Sequence, residues 1–205
     1  MNELIKALQR NPEDDIRDDY VSVPQKEAPI DWDTIEEFEG GRQQEGYVPQ
    51  AGKSGVTLSS GFDVGQRNSL EGLPDSVKEK AEPYLGLKRG AAESKLASSG
   101  GISLTPEEAD ATAEFAKNET EEKLKRDWQK VSDVPFESLT PAQKTVLASV
   151  THQYGSLSRT PRFSQFAGEG KWNKVIEELR NFEDQHKTRR NREADYLQNS
   201  MAKVK

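Results

Sequence analysis

The stretch "SGVTLSSGFDVGQ", Ser54 to Gln66, is the part of the chain whose reading decides the fold. It places β-prone residues around serines and glycines, the chemistry of short strands joined by tight turns. Its one acidic residue, Asp63, stands among small and apolar neighbours. Aspartate is poorly suited to a strand, so its presence there calls for a chemical reason. From Gly40 to Gln66 the chain carries seven glycines and Pro49, with a second β-prone piece at "YVP". This segment is expected to form a small β-hairpin subdomain.

Upstream, "DWDTIEEFEGG" sets Trp32, Ile35 and Phe38 at helical spacing, and Gly40 and Gly41 stop that helix. Glu39 then lies at a helix C-terminal end, where the macrodipole and any apolar wall would favour its protonated form. Residues 1–30 are acidic and punctuated by Pro12, Pro24 and Pro29, which reads as an N-terminal arm or linker, with the main domain over 31–205. The arm is expected to be dispensable for activity.

Downstream, helices dominate. One is expected over "LPDSVKEKAEPYL", and another over "LTPEEADATAEFAKNETEEKLKRDWQKV", where Thr105, Pro106 and Glu108 form a capping box. The phrase "SLTP" recurs at Ser138–Pro141 as repeated cap chemistry, ahead of "AQKTVLASVTHQYG", the most apolar helix in the chain. "KWNKVIEELRNF" and "TRRNREADYLQNSM" give two further amphipathic helices. Trp32, Trp128 and Trp172 occupy helical apolar positions, which assigns them to the core rather than to a sugar platform. Tyr47 is read as hairpin packing or as cleft wall, with packing favoured.

The 205 residues suffice for one domain with a real core. With 32% hydrophobic and 32% charged residues, the composition is that of a helical, strongly hydrated protein. A net charge of −7 argues against a general nucleic-acid binder, which needs Lys and Arg to displace phosphate counterions. The chain has no Cys, hence no disulfide and no thiolate metal site, and its two histidines, His152 and His186, are far apart. No metal and no cofactor is expected. "GGRQQEG" lacks the Lys-Ser/Thr of a nucleotide loop, and "SSG" is not the G-x-S-x-G of a nucleophilic serine. No apolar run is long enough for a signal-peptide core or a membrane span. A monomer made in the cytoplasm, without membrane insertion, is the expectation.

Carboxylates remain. Two of them across a cleft are what glycoside hydrolysis requires, one to protonate the leaving oxygen and one to activate water or attack carbon. Glu39 and Asp63 fit by placement, with Glu36 and Glu37 as alternatives to Glu39.

"EGG", then "GYVP", then "SGVTLSSGFDVGQ" resemble the active-site segment of pesticin-type muramidases, relatives of the T-even phage lysozymes. The resemblance covers about residues 31–200. It implies an α+β lysozyme-like fold, a small β-hairpin subdomain packed against a mainly helical lobe. It further implies Glu39 as general acid, Asp63 as the water-activating carboxylate and Thr57 as a hydroxyl that positions the water. Gly61, Gly65 and Gln66 also match, Gly61 and Gln66 as substrate-binding positions. A weaker match in "AQKTVLASVTHQYGSL" implies that Gln153 faces the sugar, where an Asn is usual, and that Gly155 ends the helix. "TRRNREADYL" is similar to the closing Arg-rich helix of such lysozymes, whose arginines are mostly structural.

The implied activity is hydrolysis of the β-1,4 bond between N-acetylmuramic acid and N-acetylglucosamine in the glycan strands of peptidoglycan. The implied site of action is the periplasm or cell wall of a target bacterium. A phage endolysin or a secreted antibacterial effector would fit, the latter with delivery machinery and an inhibitory immunity protein as partners. The rival readings are an inactive lysozyme-shaped module of a phage particle, a lytic transglycosylase, and a chitinase.

Overall fold

The structure, a computed structural model, describes residues 29–39, 42–50 and 52–203. Most of the arm, residues 1–28, and the two glycines expected to stop the first helix lie outside the described residues. Ile30, one position before the expected boundary, is buried in the core.

Helix α1, Trp32–Glu39, is capped by Asp31, whose Oδ1 accepts from the Thr34 N–H at 3.0 Å and whose Oδ2 accepts from the Thr34 hydroxyl at 2.7 Å. The Asp31 N–H also donates to Thr145 Oγ1 at 2.9 Å, and the Tyr196 hydroxyl donates to Asp31 Oδ2 at 3.0 Å. The start of α1 is thereby pinned to two distant helices, which fixes where its other end, Glu39, can lie.

The glycine-rich segment forms the expected hairpin. Strands β1, Thr57–Leu58, and β2, Phe62–Asp63, are antiparallel, with Thr57 opposite Asp63 and Leu58 opposite Phe62. The pairing extends outward through Tyr47 opposite Thr57 and Glu45 opposite Ser103. The turn requires Gly61 at φ +104°, a conformation only glycine adopts without strain. Because strand side chains alternate, Val56, Leu58, Phe62 and Val64 all face one way, and all are buried in one apolar cluster. Helices α2, Asp75–Ala81, and α3, Arg89–Ser99, complete this lobe.

Helix α4, Pro106–Val131, gives Ala109 and Ala116 to the hairpin lobe and Leu124 and Trp128 to a second core. At about 1.5 Å per residue it runs for roughly 39 Å and serves both. The second core is helical. Its centre is α5, Pro141–Tyr154, in which every residue from Ala142 to Thr151 is buried. Around it pack α6, Pro161–Gly168, α7, Trp172–Arg180, and α8, Lys187–Ala202. Both "SLTP" phrases are capping boxes, Thr105 with Glu108 and Thr140 with Gln143. Trp128 and Trp172 are buried as expected, and Trp32 packs edge-on against His152 with ring centroids 6.1 Å apart.

The expected helix over "LPDSVKEKAEPYL" closes earlier, at Ala81, and continues only as a single tight turn, Glu82–Tyr84, containing Pro83. Helices α3 and α6 were not expected. The first buries only Ala92 and has little apolar periodicity, and the second is eight residues long.

The two lobes also meet at the hairpin tip. His152 on α5 sits with Nε2 3.0 Å from the Ser60 carbonyl oxygen and Nδ1 3.0 Å from Thr120 Oγ1 on α4.

Candidate active site

Alternation along the hairpin creates a second face opposite the apolar one. Tyr47 and Thr57 exchange both backbone hydrogen bonds, at 3.1 and 2.7 Å, so they form a hydrogen-bonded pair. Thr57 and Asp63 form the other kind of pair, since the flanking Val64 N–H donates to Val56 at 2.8 Å. Residues directly opposite in an antiparallel ladder project to the same face. Tyr47, Thr57 and Asp63 therefore stand in one row, with Thr57 in the middle.

Asp63 is held by backbone. Its Oδ1 accepts from the Gly55 N–H at 3.1 Å and from the Gly65 N–H at 3.0 Å. Two such donors fix the plane of the carboxylate. They leave Oδ2 without a hydrogen bond among the described residues. Thr57 is 4% exposed, and its Oγ1 is buried with no hydrogen-bond partner among the described residues. A buried hydroxyl in that state costs free energy unless something else meets it.

Glu39 is the last residue of α1. A guanidinium stands beside it. Arg189 Nη1 on α8 donates to Glu39 Oε1. The same guanidinium donates through Nε to Glu193 Oε1 at 3.1 Å, and through Nη2 to the Ser149 carbonyl at 3.1 Å and hydroxyl at 3.0 Å. Glu193 is wholly buried, and burial pushes its carboxyl up against the opposing pull of Arg190 and Arg189. Arg190 is also buried, with Nη1 2.8 Å from Glu193 Oε2, and its Nη2 donates to Gln153 Oε1. Both arginines pair with the buried Glu193, and Arg189 also fixes one oxygen of Glu39.

The alternatives to Glu39 are placed differently. Glu36 is paired with Arg42 at 2.9 Å and Lys117 at 2.6 Å. Burial opposes ionisation there, but these two cations hold its carboxyl below the usual range. Glu37 is exposed on the outer side of α1. Glu39, by contrast, lines a cleft of about 390 Å³ with Phe38, Gln153, His186 and Arg192.

The remaining expected positions divide. Gln153 shares that cleft with Glu39. Gly61 lies at the hairpin tip, where a Cβ would come within 3.3 Å of His152 Nε2. Gln66 is exposed and spends its amide on the Lys53 carbonyl at 2.9 Å, which braces the loop before β1. Gly155 ends α5 with φ +76°.

Two further groups bear on the site. Tyr47 is half-buried, and burial first, then the charges of Glu39 and Asp63, push its phenol up. The signal for Arg189 was the spacing "RRNRE", which puts Arg189, Arg190 and Glu193 on one helix face.

A search of curated proteins returns no match. A family model described as a bacterial toxin homologue of phage lysozyme, C-terminal, matches residues 29–173, which include Glu39, Thr57, Asp63 and Gln153 and stop short of α8. With more than half of its length matched, the chain belongs to the Pesticin family, whose members are related to phage lysozyme.

Proposed function

We propose that the protein is a muramidase that hydrolyses the β-1,4 bond between N-acetylmuramic acid and N-acetylglucosamine in peptidoglycan, with inversion at the anomeric carbon. The observation that carries this reading is the Thr57–Asp63 pair on one hairpin face, with the Thr57 hydroxyl unpartnered and Asp63 Oδ2 open. A water between them would accept from or donate to Thr57 Oγ1 and give its proton to Asp63 as its oxygen bonds to C1. Glu39 would give its proton to the departing glycosidic oxygen. With Oε1 held by Arg189, the proton would be carried on Oε2. The C1–oxygen bond breaks, a C1–water bond forms on the opposite face, and the product is an α-anomer. Gln153, beside Glu39, would meet the sugar with its amide N–H, since its oxygen is taken by Arg190.

Peptidoglycan lies beyond the cytoplasmic membrane, so the protein would act in the periplasm or wall of a target bacterium. Release during phage lysis or delivery by a secretion machine, with an immunity protein in the producer, both fit this reading. Directing the chain to the periplasm with an added signal peptide should lyse cells that tolerate it in the cytoplasm. Equal toxicity from both compartments would refute a wall substrate.

The deciding experiment combines masses of the fragments released from purified walls with NMR of the anomeric protons in the first minutes. A reducing N-acetylmuramic acid α-anomer is expected. A β-anomer would mean retention through a nucleophile, a 1,6-anhydro end a transglycosylase, and no release an inactive module.

A further inference from the structure

We propose that Tyr47 is a further substrate-touching residue, whose hydroxyl donates a hydrogen bond to an oxygen of the N-acetylated sugar held between Glu39 and Asp63. The inference rests on the muramidase reading and adds to it a residue outside the two carboxylates and Thr57. The backbone pairing puts Tyr47 beside Thr57 and on its face, opposite to the side that Asp63 occupies. Tyrosine is the longest side chain of this row, so it reaches farther from the sheet than the threonine hydroxyl. Gly46 and Val48, its chain neighbours, turn the other way. A Cβ on Gly46 would meet Ile102, Leu58 and Val56, and Val48 packs against the same apolar cluster. Packing is thus done by the neighbours of Tyr47, on the face it does not use.

Its hydroxyl makes no hydrogen bond among the described residues. Burial and the two carboxylates keep the phenol protonated beyond the ordinary tyrosine range. It is therefore an O–H donor at neutral pH. Sugar hydroxyls, ring oxygens and acetamido carbonyls are acceptors of the right kind.

The test compares purified wild type, Tyr47→Phe and Glu39→Gln on soluble peptide-free glycan strands, together with glycan binding by Glu39→Gln and by the Tyr47→Phe, Glu39→Gln double variant. Measurements are made below the melting transition of every variant. Wild-type hydrolysis that is lost in Glu39→Gln checks the muramidase reading alone. The expectation for Tyr47→Phe is an unchanged melting temperature with kcat/KM lower by about three- to tenfold, the loss of one neutral hydrogen bond. Binding should weaken by a similar factor in the double variant. Kinetics and binding within about twofold of their parents would overturn the role of Tyr47. If the chain hydrolyses nothing, the muramidase reading fails, and the binding comparison still decides whether the tyrosine hydroxyl touches a glycan.

Discussion

Arg189 on α8 donates to the carboxylate of Glu39 at the end of α1, 150 residues away in sequence. The contact makes the last helix part of the site that the first helix opens, although the family match ends before α8 begins. Removing the Glu39 charge leaves Arg189 with Glu193 and Ser149 as partners, so the fold should survive. Glu39→Gln is accordingly expected to melt near wild type and to lose about a hundred- to ten-thousand-fold in wall hydrolysis, the usual worth of general acid help. Glu37→Gln should be silent. Glu36→Gln, which loosens Arg42 and Lys117, should cost stability more than chemistry. Turbidity assays and thermal melts on the three variants separate these outcomes, and a Glu39→Gln enzyme with a tenth or more of wild-type activity would refute the assignment.

Thr57 gives an opposite pairing of effects. Its hydroxyl is buried without a partner, so replacing it with a methyl removes an unsatisfied group from nearly the same shape. Thr57→Val should therefore raise stability by about 1 kcal/mol while lowering hydrolysis by at least about tenfold. A structural threonine would behave the other way, losing stability and keeping activity. Chemical denaturation and initial rates on one preparation distinguish the two.

How far the site was legible in the sequence follows from which contacts are local. Asp63 stood out because a strand aspartate among Ser and Gly needs a reason, and its two backbone donors come from within ten residues. The two capping boxes were readable because cap and partner are three residues apart. Arg189 was not readable in its present role. It meets Glu39 only through tertiary packing, and in the sequence it could be seen only as one of a cluster on a polar helix. Helix α3 was missed for a related reason, since it buries little but Ala92 and has no periodic apolar face to declare it. The cation beside Glu39 was not legible, because the residues next to it in sequence are apolar and glycine while its partner in space comes from the last helix.

Acid should weaken the hairpin lobe in a defined window. Lys80 Nζ lies 2.5 Å from Glu108, and this pairing, with the Thr105 N–H, lowers the Glu108 carboxyl to about 2 from an unfolded value of 4.5. Because the folded value is the lower one, its stabilisation is present above pH 4.5 and is lost as pH falls from there towards 2. Lys80 is 38% exposed, so the effect is screened by salt. Glu108→Gln should keep the capping box, as Gln143 does in the other copy, and lose only the charge pairing. The melting temperature of the variant is thus expected to fall less steeply than wild type between these pH values. Parallel curves would show that Glu108 does not contribute to the acid transition.

The last prediction concerns the backbone that aims Asp63. Gly55 and Gly65 supply both N–H groups that hold Asp63 Oδ1, and they lie against each other and against the Leu87 carbonyl. A Cβ on Gly65 would stand 2.2 Å from the Leu87 oxygen and 2.6 Å from the Gly55 Cα, and neither backbone atom can swing aside as a side chain would. Gly65→Ala must therefore push two chain segments apart, at a cost of about 1–3 kcal/mol or more. The same displacement pulls the donors away from the carboxylate, so activity should fall further than the loss of folded protein explains. Gly90→Ala provides the control. It lies in α3 with open space where its Cβ would go, and it should gain about 0.5–1 kcal/mol with unchanged hydrolysis. Rates normalised to the folded fraction decide the matter. A Gly65→Ala protein that is less stable but as active per folded molecule as wild type would show that Asp63 does not depend on this backbone cradle for its orientation.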